Sequence, residues 1–553
     1  MKKTLLIKIL SATKGAFVNK GFLFCFLLSA FCFLPCSAQE EFDYLDVNNV
    51  KAYINPLRLF YNNGAAFEVP KNSGKSTIFT SNIWLGGVDI ERQLYVAAQR
   101  YTGQDFWLGP IGCFDTIIDD YHYCWYGSPP DEEYIQKYHH TWKVSRAEIE
   151  YHKVHYKDAG YVMPWGIANW PAHGRVEENE DYYLAPYKDR DGNGKYEPLK
   201  GDYPDIKGDQ AVFFIMNDRG GPHTGSGSFN SMGVQICGMA YAFNSPDSAL
   251  QNTIFLSYEV KNKGSANLDD FYFGFWNDFD IGYKMDDYIG CDTLMNLAYA
   301  YNGKEIDGTG QANAYGENPP VQGCIFLNQK MSAFMAHKNN NSITGAPSVA
   351  IDYYNLLRAR WRNGMHVTYG GTGENYPGVQ TSFMFSGDPI NKTGWTELTP
   401  DGPESTPNTP GDRMGVMSAG PFTLDYNETI SVEIALIFAR DYGSKNPLAS
   451  LAKLKQFTQE VQEYYDEVIA DIKETQLITS LRVYPNPSNG QFTISGDKVI
   501  ESIEVYDLLG KKVFTSTPKS QTTQINTRLP QGLYMYRAVL EDHSSSSGKI
   551  VIR

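Results

Sequence analysis

The segment from Asp189 to Asp202 carries oxygen-bearing side chains at the alternating spacing of a calcium-binding loop, with Gly194 where such loops turn sharply. The predicted ligands are Asp189, Asp191, Asn193, the Lys195 carbonyl, Glu197 and Asp202. Position twelve of an EF-hand loop would be Lys200, so Asp202 is expected to supply the missing carboxylate. Because hard oxygen ligands suit Ca²⁺, the sequence predicts a structural calcium site; the alternative is an Asx-rich turn that holds no ion.

A second set of acids follows an apolar, aromatic segment and is predicted to lie at the end of a strand. Its members are Asp278, Asp280, Asp286, Asp287 and Asp292. Three interpretations are open. The acids could bind another calcium ion, or form the acid/base pair of a carbohydrate-active hydrolase beside Trp276 and Tyr283, since glycoside hydrolysis uses two carboxylates across one bond. They could also be a solvated acidic loop.

Other catalytic motifs are missing from the sequence. It contains neither the HExxH motif of zinc proteases nor the GxSxG motif of serine hydrolases. Gly74-Lys75-Ser76-Thr77 resembles part of a phosphate-binding loop, but Val69 stands where its first glycine belongs. The sequence therefore favours a non-enzymatic protein.

The elements that must position these acids are predicted to be mainly β-strands. Short segments rich in Tyr, Phe, Val and Ile alternate with clusters of Gly, Asn, Asp and Pro, which favours a large β-sandwich-like domain with several sheets. Most aromatic residues are expected in its core. The clearest strands are Ala211–Met216, Thr253–Lys261, Phe271–Trp276 and Ile430–Phe438.

Two helices interrupt this pattern. Ser145 and Glu148 form a capping box at the start of the first, which spans residues 145–155. Asn446 and Pro447 open a longer helix, predicted to end near Glu474. Its apolar residues recur at steps of three and four and are expected to pack on the β domain. They are Leu451, Leu454, Val461, Tyr465, Val468 and Ile472.

Residues 1–38 have the features of a secretory signal peptide. Five lysines and no acid precede and flank the apolar run Gly21–Leu34, and small residues follow it at Ser37 and Ala38. The run is too short to favour a membrane anchor, so the mature chain is expected to have no transmembrane segment. Loss of the five lysines would change the net charge from −15 to −20. Such a surface disfavours nucleic acid and anionic membrane as partners.

Five cysteines lie beyond the signal, and an oxidising destination would permit disulfides. Cys113 and Cys124 are close in sequence and form the first candidate disulfide. A pair of Cys291 with Cys324 is the second, and it would leave Cys237 as a buried free thiol.

A domain boundary is predicted at residues 476–480, between an acidic and a basic part of the chain. Residues 481–553 contain nine Lys and Arg against six Asp and Glu. About seven short strands are expected there, which suits a compact immunoglobulin-like sandwich. The predicted organisation is a signal peptide (1–38), an acidic aromatic-rich β domain (39–445), an amphipathic helix (446–475), a linker (476–480) and a C-terminal β domain (481–553).

The C-terminal domain strongly resembles the type A sorting domain of the type IX secretion system in Bacteroidetes. The resemblance rests on Val483–Pro487, Val505–Asp507, Leu529–Tyr534 and Lys549–Val551, in matching order and spacing. The residues of the sorting motif are Pro485, Asn486, Pro487, Gly490, Tyr506, Asp507, Gly510, Gly532 and Tyr534. We expect the prolines to fix an extended start, and the three glycines to form turns with positive φ.

The resemblance implies how the protein travels. Sorting domains of this family are held by an outer-membrane shuttle protein and then usually removed by a sortase-like peptidase. The cargo is released or joined to a surface glycolipid. The expected location is therefore the cell surface or the medium, reached through the periplasm.

The large domain resembles uncharacterised exported Bacteroidetes proteins that carry the same tail. The similar segments are Phe67–Pro70, Trp84–Gly87, Trp170–Gly174 and Gly201–Pro204. This similarity implies no activity. The resulting hypothesis is a calcium-stabilised structural or adhesion protein, or one that contacts extracellular glycan. The alternative is a carbohydrate-active hydrolase that uses carboxylates of the region Asp278–Asp292.

Overall fold

The protein is described by a computed structural model that covers residues 42–112, 115–118, 121–124, 132–470, 481–484, 488–506, 511–541 and 545–553. The predicted signal peptide and linker lie outside these residues. So do Cys113 of the first predicted disulfide and five residues of the sorting motif, namely Pro485, Asn486, Pro487, Asp507 and Gly510.

Strands dominate the large domain, as predicted. They are β1 Asp43–Leu45, β2 Lys51–Ile54, β3 Phe67–Glu68, β4 Ile78–Val88, β5 Leu94–Ala98, β6 Trp107–Leu108, β7 Asp115–Ile118, β8 Tyr121–Cys124, β9 Trp142–Ser145, β10 Tyr187–Lys188, β11 Tyr203–Pro204, β12 Gln210–Asn217, β13 Val234–Ala242, β14 Thr253–Asn262, β15 Leu268–Phe279, β16 Asp287–Asp292, β17 Leu297–Asn302, β18 Ile306–Asp307, β19 Gly316–Glu317, β20 Val321–Phe326, β21 Met331–His337, β22 Arg413–Leu424 and β23 Thr429–Ala439.

Helices are few. The α-helices are α1 Glu132–Tyr138, α2 Arg146–His155, α3 Trp165–Ala168, α4 Ser248–Gln251, α5 Ala350–Leu357 and α6 Pro447–Tyr464. Short 3₁₀ turns occur at Val176–Glu178, Pro198–Lys200 and Lys284–Asp286, and a π-helix at Tyr465–Ala470. The capping box predicted for α2 is present, with Ser145 and Glu148 each bonded to the other's backbone.

Two antiparallel sheets build the sandwich. The larger has nine strands in the order β16-β17-β20-β23-β14-β13-β12-β6, with β9 also paired to β12, and the smaller has the order β21-β22-β15-β4-β5. Phe273 of the smaller sheet contacts the rings of Tyr258 and Phe326 on the larger, at centroid distances of 5.7 and 6.3 Å. The main core therefore lies between the sheets.

The larger sheet is apolar on both faces. Along β12, Val212, Phe214 and Met216 enter the core between the sheets, while Ala211, Phe213 and Ile215 enter a second core. Successive side chains of a strand point to opposite faces, so a strand buried on both sides is a continuous apolar run. Helix α6 covers part of the second face through Leu451, Leu454 and Val461. The predicted packing of this helix is confirmed.

The apolar stripe of α6 changes register at its end. Val468, predicted to be buried, is 38% exposed, and Ile469 is buried in its place. Residues 465–470 form a π-helix, whose wider turns displace the following side chains by one position. The α-helical spacing therefore predicts the buried face as far as Tyr465 and fails beyond it.

A buried histidine links β5 to the segment between β12 and β13. The ring nitrogens of His223 lie 2.8 Å from the carbonyl oxygens of Val96 and Asp218. The ring therefore bridges two backbone carbonyl oxygens that come from different segments of the chain. The buried carboxylates of Asp105 and Asp218 each lie 3.7 Å from the ring. Each carboxylate also accepts hydrogen bonds from three backbone N–H groups.

The predicted disulfide between Cys291 and Cys324 is wrong, because both thiols are free. Cys291 lies on β16 and Cys324 on β20, and Ala298 of the intervening strand β17 pairs with both. Two strand spacings of about 4.8 Å each therefore separate the cysteines, whereas a disulfide needs Cα atoms within about 7 Å. Cys237 is also free, as predicted, although it is only partly buried.

The C-terminal residues form one six-stranded sheet. Its strands are β24 Leu481–Tyr484, β25 Gln491–Tyr506, β26 Lys512–Ser516, β27 Ser520–Asn526, β28 Gly532–Leu540 and β29 Ser545–Ile552. Six strands are described where about seven were expected, because β25 is one long strand, which pairs with β24, β26, β27 and β28. The immunoglobulin-like topology stays a prediction.

Two glycines of the sorting motif can be compared with the expected turns. Gly490 has a φ of +93° and lies in the turn before β25, as predicted. Gly532 is instead the first residue of β28 and does not adopt a positive φ, so that expectation is wrong. Tyr534 is buried in the core of this sheet, and its hydroxyl donates to the Pro530 carbonyl at 2.9 Å.

Candidate functional site

Three carboxylates meet where two neighbouring strands of the five-stranded sheet end and begin. Asp278 is near the end of β15, Asp280 follows that strand, and Asp412 immediately precedes β22. Strands β15 and β22 are antiparallel neighbours in which Phe279 pairs with Arg413, so the next step of the ladder places Asp280 opposite Asp412. Asp278 and Asp280 are two residues apart and project on the same side of the strand. The pairing of these two strands therefore assembles the carboxylate cluster Asp278–Asp280–Asp412.

The cluster has the dimensions of a metal site. One carboxylate oxygen from each of the three residues lies within 4.8 Å of the other two. Oxygens that ligate one Ca²⁺ at about 2.3–2.6 Å are at most roughly 5 Å apart. Among the residues that the structure describes, these are the only three His, Cys, Asp or Glu side chains with this geometry.

Each acid of the cluster has one buried oxygen without a hydrogen-bond partner in the protein. These atoms are Oδ1 of Asp278, Asp280 and Asp412. Asp278 is itself only 3% exposed. Because an unpaired buried carboxylate oxygen is costly, three of them at one place indicate a ligand that accepts electron pairs, as a cation does.

The second oxygens of Asp278 and Asp412 have protein partners. The Tyr101 hydroxyl donates to Oδ2 of Asp278 at 2.8 Å, and Lys284 Nζ lies 3.1 Å from Oδ2 of Asp412. These contacts fix the orientation of the two carboxylates.

The protonation of the cluster follows from its burial. Burial raises the pKa of Asp278 to about 7, against the opposing hydrogen bond from Tyr101. Burial, together with the charge of Asp278, raises the pKa of Asp280 to about 8. Near neutral pH the cluster without a cation therefore retains protons, which a bound divalent cation would displace.

The structure divides the predicted second acidic cluster. Asp278 and Asp280 come together, whereas Asp286 and Asp287 are buried nearby and accept hydrogen bonds from Gly308 N and Ile281 N. Asp292 lies apart from them and pairs with Lys455 of α6 at 2.9 Å. Trp276 is fully buried, where it stacks on Trp84 and donates to His337, so it offers no platform for a sugar.

The predicted calcium loop is closed by its own hydrogen bonds. Asp189 accepts the N–H groups of Gly192 and Gly194, and Asp191 and Asn193 each accept an N–H two residues ahead. Asp202 is buried, and its two oxygens accept from Arg190 N and Glu197 N. Glu197 pairs with Lys200 at 2.7 Å. These contacts are those of an Asx-rich turn, and calcium binding by this loop stays a prediction.

A polar cleft of about 250 Å³ opens beside the carboxylate cluster. Asp280 is the member of the cluster that lines it. Two hydrogen bonds join the Asp280 loop to the segment before β4, from Asp280 N to Thr77 O and from Gly282 N to Ser76 O. The other charged residues that line the cleft are Lys51, Glu68 and Lys75.

Asp412 was not predicted, although it completes the cluster. It lies more than a hundred residues from Asp280 in the sequence, within Gly411-Asp412-Arg413. Only the pairing of β15 with β22 brings it close. An isolated acid before a strand gives no signal of this kind.

Comparison with known proteins identifies the C-terminal part of the chain. Residues 482–553 match the family described as secretion system C-terminal sorting domain. No curated protein is significantly similar to the chain. A solved polysaccharide lyase aligns with 57% of this chain and 34% of its own, at 8% identity and a TM-score of 0.17, which carries no argument about fold or function.

The match agrees with the resemblance seen in the sorting motif. No helix in the described part of the chain is both long and apolar enough to span a bilayer. The chain thus carries a type IX secretion C-terminal sorting domain at residues 482–553 and is exported to the cell surface or secreted.

Proposed function

We propose that the exported large domain is a calcium-stabilised, non-enzymatic surface or secreted protein that contacts glycans, and that its calcium ion binds at the carboxylate cluster. The observation that supports this function best is the set of three buried, unpartnered Oδ1 atoms within one small cluster. Three carboxylates supply fewer than the six to eight oxygens that Ca²⁺ takes. Water or ligand hydroxyl groups would supply the others from the side of the cleft.

The carboxylate cluster favours calcium for two reasons. Its ligands are hard oxygen atoms without a histidine or cysteine among them. Calcium also tolerates irregular coordination, which suits acids that come from two strand ends, whereas Mg²⁺ demands a near-ideal octahedron. The loop from Asp189 to Asp202 is proposed as a second, structural calcium site.

Calcium is expected to raise the melting temperature of the protein. A ligand at a hundred times its Kd stabilises the folded state by about 2.7 kcal/mol, which corresponds to roughly 5 °C for a large domain. Asp280→Asn and Asp412→Asn should remove the part of this increase that comes from the cluster, whereas the exposed control Asp158→Asn should keep the full increase. Differential scanning calorimetry with calcium and with chelator measures the effect.

The same variants separate lost binding from poor folding. With chelator present, Asp280→Asn should be at least as stable as the parent protein, because it relieves repulsion among buried acids. Any increase that survives in the cluster variants but disappears in Asp189→Ala would assign the ion to the loop. Equal melting curves for the parent protein in calcium and in chelator would contradict both sites.

The stabilisation is also expected to depend on pH in a defined direction. Asp278 and Asp280 have pKa values of about 7 and 8 in the folded protein, well above those of the unfolded chain. The folded state therefore binds more protons, and without calcium its stability should fall as pH rises from about 4 to 8. Calcium should compensate for this fall at pH 8 and have little effect at pH 5. A pH series of melting temperatures, with and without calcium, measures both trends.

A carbohydrate-active hydrolase is the second candidate. One observation favours it: Asp280 faces the cleft and keeps its proton at neutral pH, as a general acid must. Against it, the carboxylate oxygens lie within 4.8 Å, closer than the roughly 5–5.5 Å between the carboxyl groups of retaining enzymes. Turnover of a polysaccharide that is lost in Asp280→Asn would establish the hydrolase and overturn the non-enzymatic function.

The partners of export are proposed from the sorting domain. We infer that an outer-membrane shuttle binds residues 482–553, and that a sortase-like peptidase removes them. The cargo would then be released or attached to a surface glycolipid. Mass spectrometry of the exported protein tests this, since the mature C-terminus should lie before residue 482.

A further inference from the structure

The cleft beside Asp280 is lined by this member of the proposed cation site and by two lysines, Lys51 and Lys75. Its walls come from β2, β3, the segment before β4 and the loop after β15. At about 250 Å³ it is slightly smaller than the roughly 300–1,000 Å³ of ordinary ligand pockets. It would therefore admit a small ligand, or one unit of a longer chain.

The two ammonium groups of the cleft are held by aromatic rings. Lys51 Nζ lies 4.7 Å from the ring centroid of Tyr44, and Lys75 Nζ lies 5.5 Å from that of Tyr315. Within the described residues, neither lysine has a carboxylate partner at ion-pair distance, and Glu68 instead accepts the N–H of Gly74. Cation–π contacts orient an ammonium group without neutralising it. Both lysines therefore remain able to bind an anion.

A cation at the cluster would add to this positive charge. Asp280 both lines the cleft and belongs to the cluster, so a cation held by Asp280 would lie beside the space that the two lysines also line. Before the ion binds, the cluster retains protons near neutral pH and offers the cleft no positive charge. After it binds, the negative charge is offset, and a ligand oxygen can complete the coordination shell.

We infer that this cleft binds the carboxylate of an anionic saccharide, with the carboxylate bridging the cation and the ammonium groups of Lys51 and Lys75. The inference rests on the proposed cation site. The uncharged polar residues of the cleft favour a saccharide over an acidic peptide. Asn62, Ser76 and Asn313 line it, and amide and hydroxyl groups suit the hydroxyls of a sugar ring.

The binding test uses the full chain and isothermal titration calorimetry. The anionic probe is trigalacturonate, the neutral probe is cellotriose, and the acidic peptide probe is triglutamate. We expect trigalacturonate alone to bind, in calcium but not in chelator. The double variant Lys51→Ala with Lys75→Ala should weaken its binding by roughly ten-fold or more, since charge-assisted hydrogen bonds are strong. The matched control is Lys330→Ala, which removes an exposed lysine outside the cleft.

Calcium titration of the same variants distinguishes the two proposals. The lysine variant should bind calcium as the parent protein does, because neither lysine belongs to the cluster. Two outcomes would show that the saccharide inference is wrong while the cation site stands. In the first, calcium binds the parent protein but trigalacturonate does not. In the second, trigalacturonate binds the lysine variant as tightly as the parent protein. Equal binding of triglutamate would also overturn the preference for a sugar. If calcium itself does not bind the cluster, the proposed function fails first.

Discussion

Removal of residues 482–553 should leave the large domain inside the cell envelope, with the protein lost from the surface and the medium. The deleted segment is the part that matches the sorting domain family. A signal peptide would still carry the chain to the periplasm, and there the outer-membrane machinery would have nothing to bind. Immunoblots of periplasm, cell surface and medium, from a host with the type IX system, measure the redistribution.

Two neighbouring residues test whether the machinery requires the folded sheet or only the sequence. Ile525 is 3% exposed in the core of the sorting domain, and the adjacent Gln524 points outward on β27. Ile525→Asp would bury an unpaired charge, at a cost that a domain of about seventy residues cannot sustain. We expect this variant to be retained and Gln524→Asp to be exported. Normal export of both would show that the folded sheet is not required.

His223→Gln should destabilise the large domain by about 2–5 kcal/mol, because it removes the ring that holds two buried backbone carbonyl oxygens. The fully buried side chains of Asp105 and Asp218 would also lose their contacts to the ring, which are 3.7 Å long. The expected fall in melting temperature is roughly 10 °C. Calorimetry in saturating calcium, which keeps the carboxylate cluster constant, measures it.

The control for this prediction is another histidine paired with an aspartate. His155 contacts Asp158 at 2.6 Å, but their side chains are 35% and 60% exposed. Exposed pairs contribute about 0–1 kcal/mol, so His155→Gln should leave the melting temperature nearly unchanged. Similar losses in the two variants would show that His223 does not have the special role that its buried position indicates.

Local patterns in the sequence were sufficient for the strands, the helix caps and the sorting motif. The continuous apolar run of residues 211–216 is what a strand buried on both faces requires, and the Ser145 cap needs only its own turn. Two of the three members of the carboxylate cluster were predicted, because Asp278 and Asp280 are close in sequence. Asp412 joins them through a pairing between distant strands, which no local pattern encodes.

The incorrect predictions also concern geometry beyond the local sequence. The spacing of Cys291 and Cys324 says nothing of the strand that lies between them. The exposure of Val468 depends on a π-helix, where the ordinary helical repeat no longer holds. In both cases the residue types were identified correctly, and their relative positions depended on elements that the sequence pattern did not reveal.

The order of strands in the sorting sheet makes its completion depend on its C-terminal strands. Strand β25 needs β28 as a partner, and β28 in turn pairs with β29, the last strand of the domain. A ribosome that stops early leaves β25 with an open edge and its apolar core incomplete. A chain truncated before these strands would lack the complete sorting sheet, and we expect it to be retained in the periplasm.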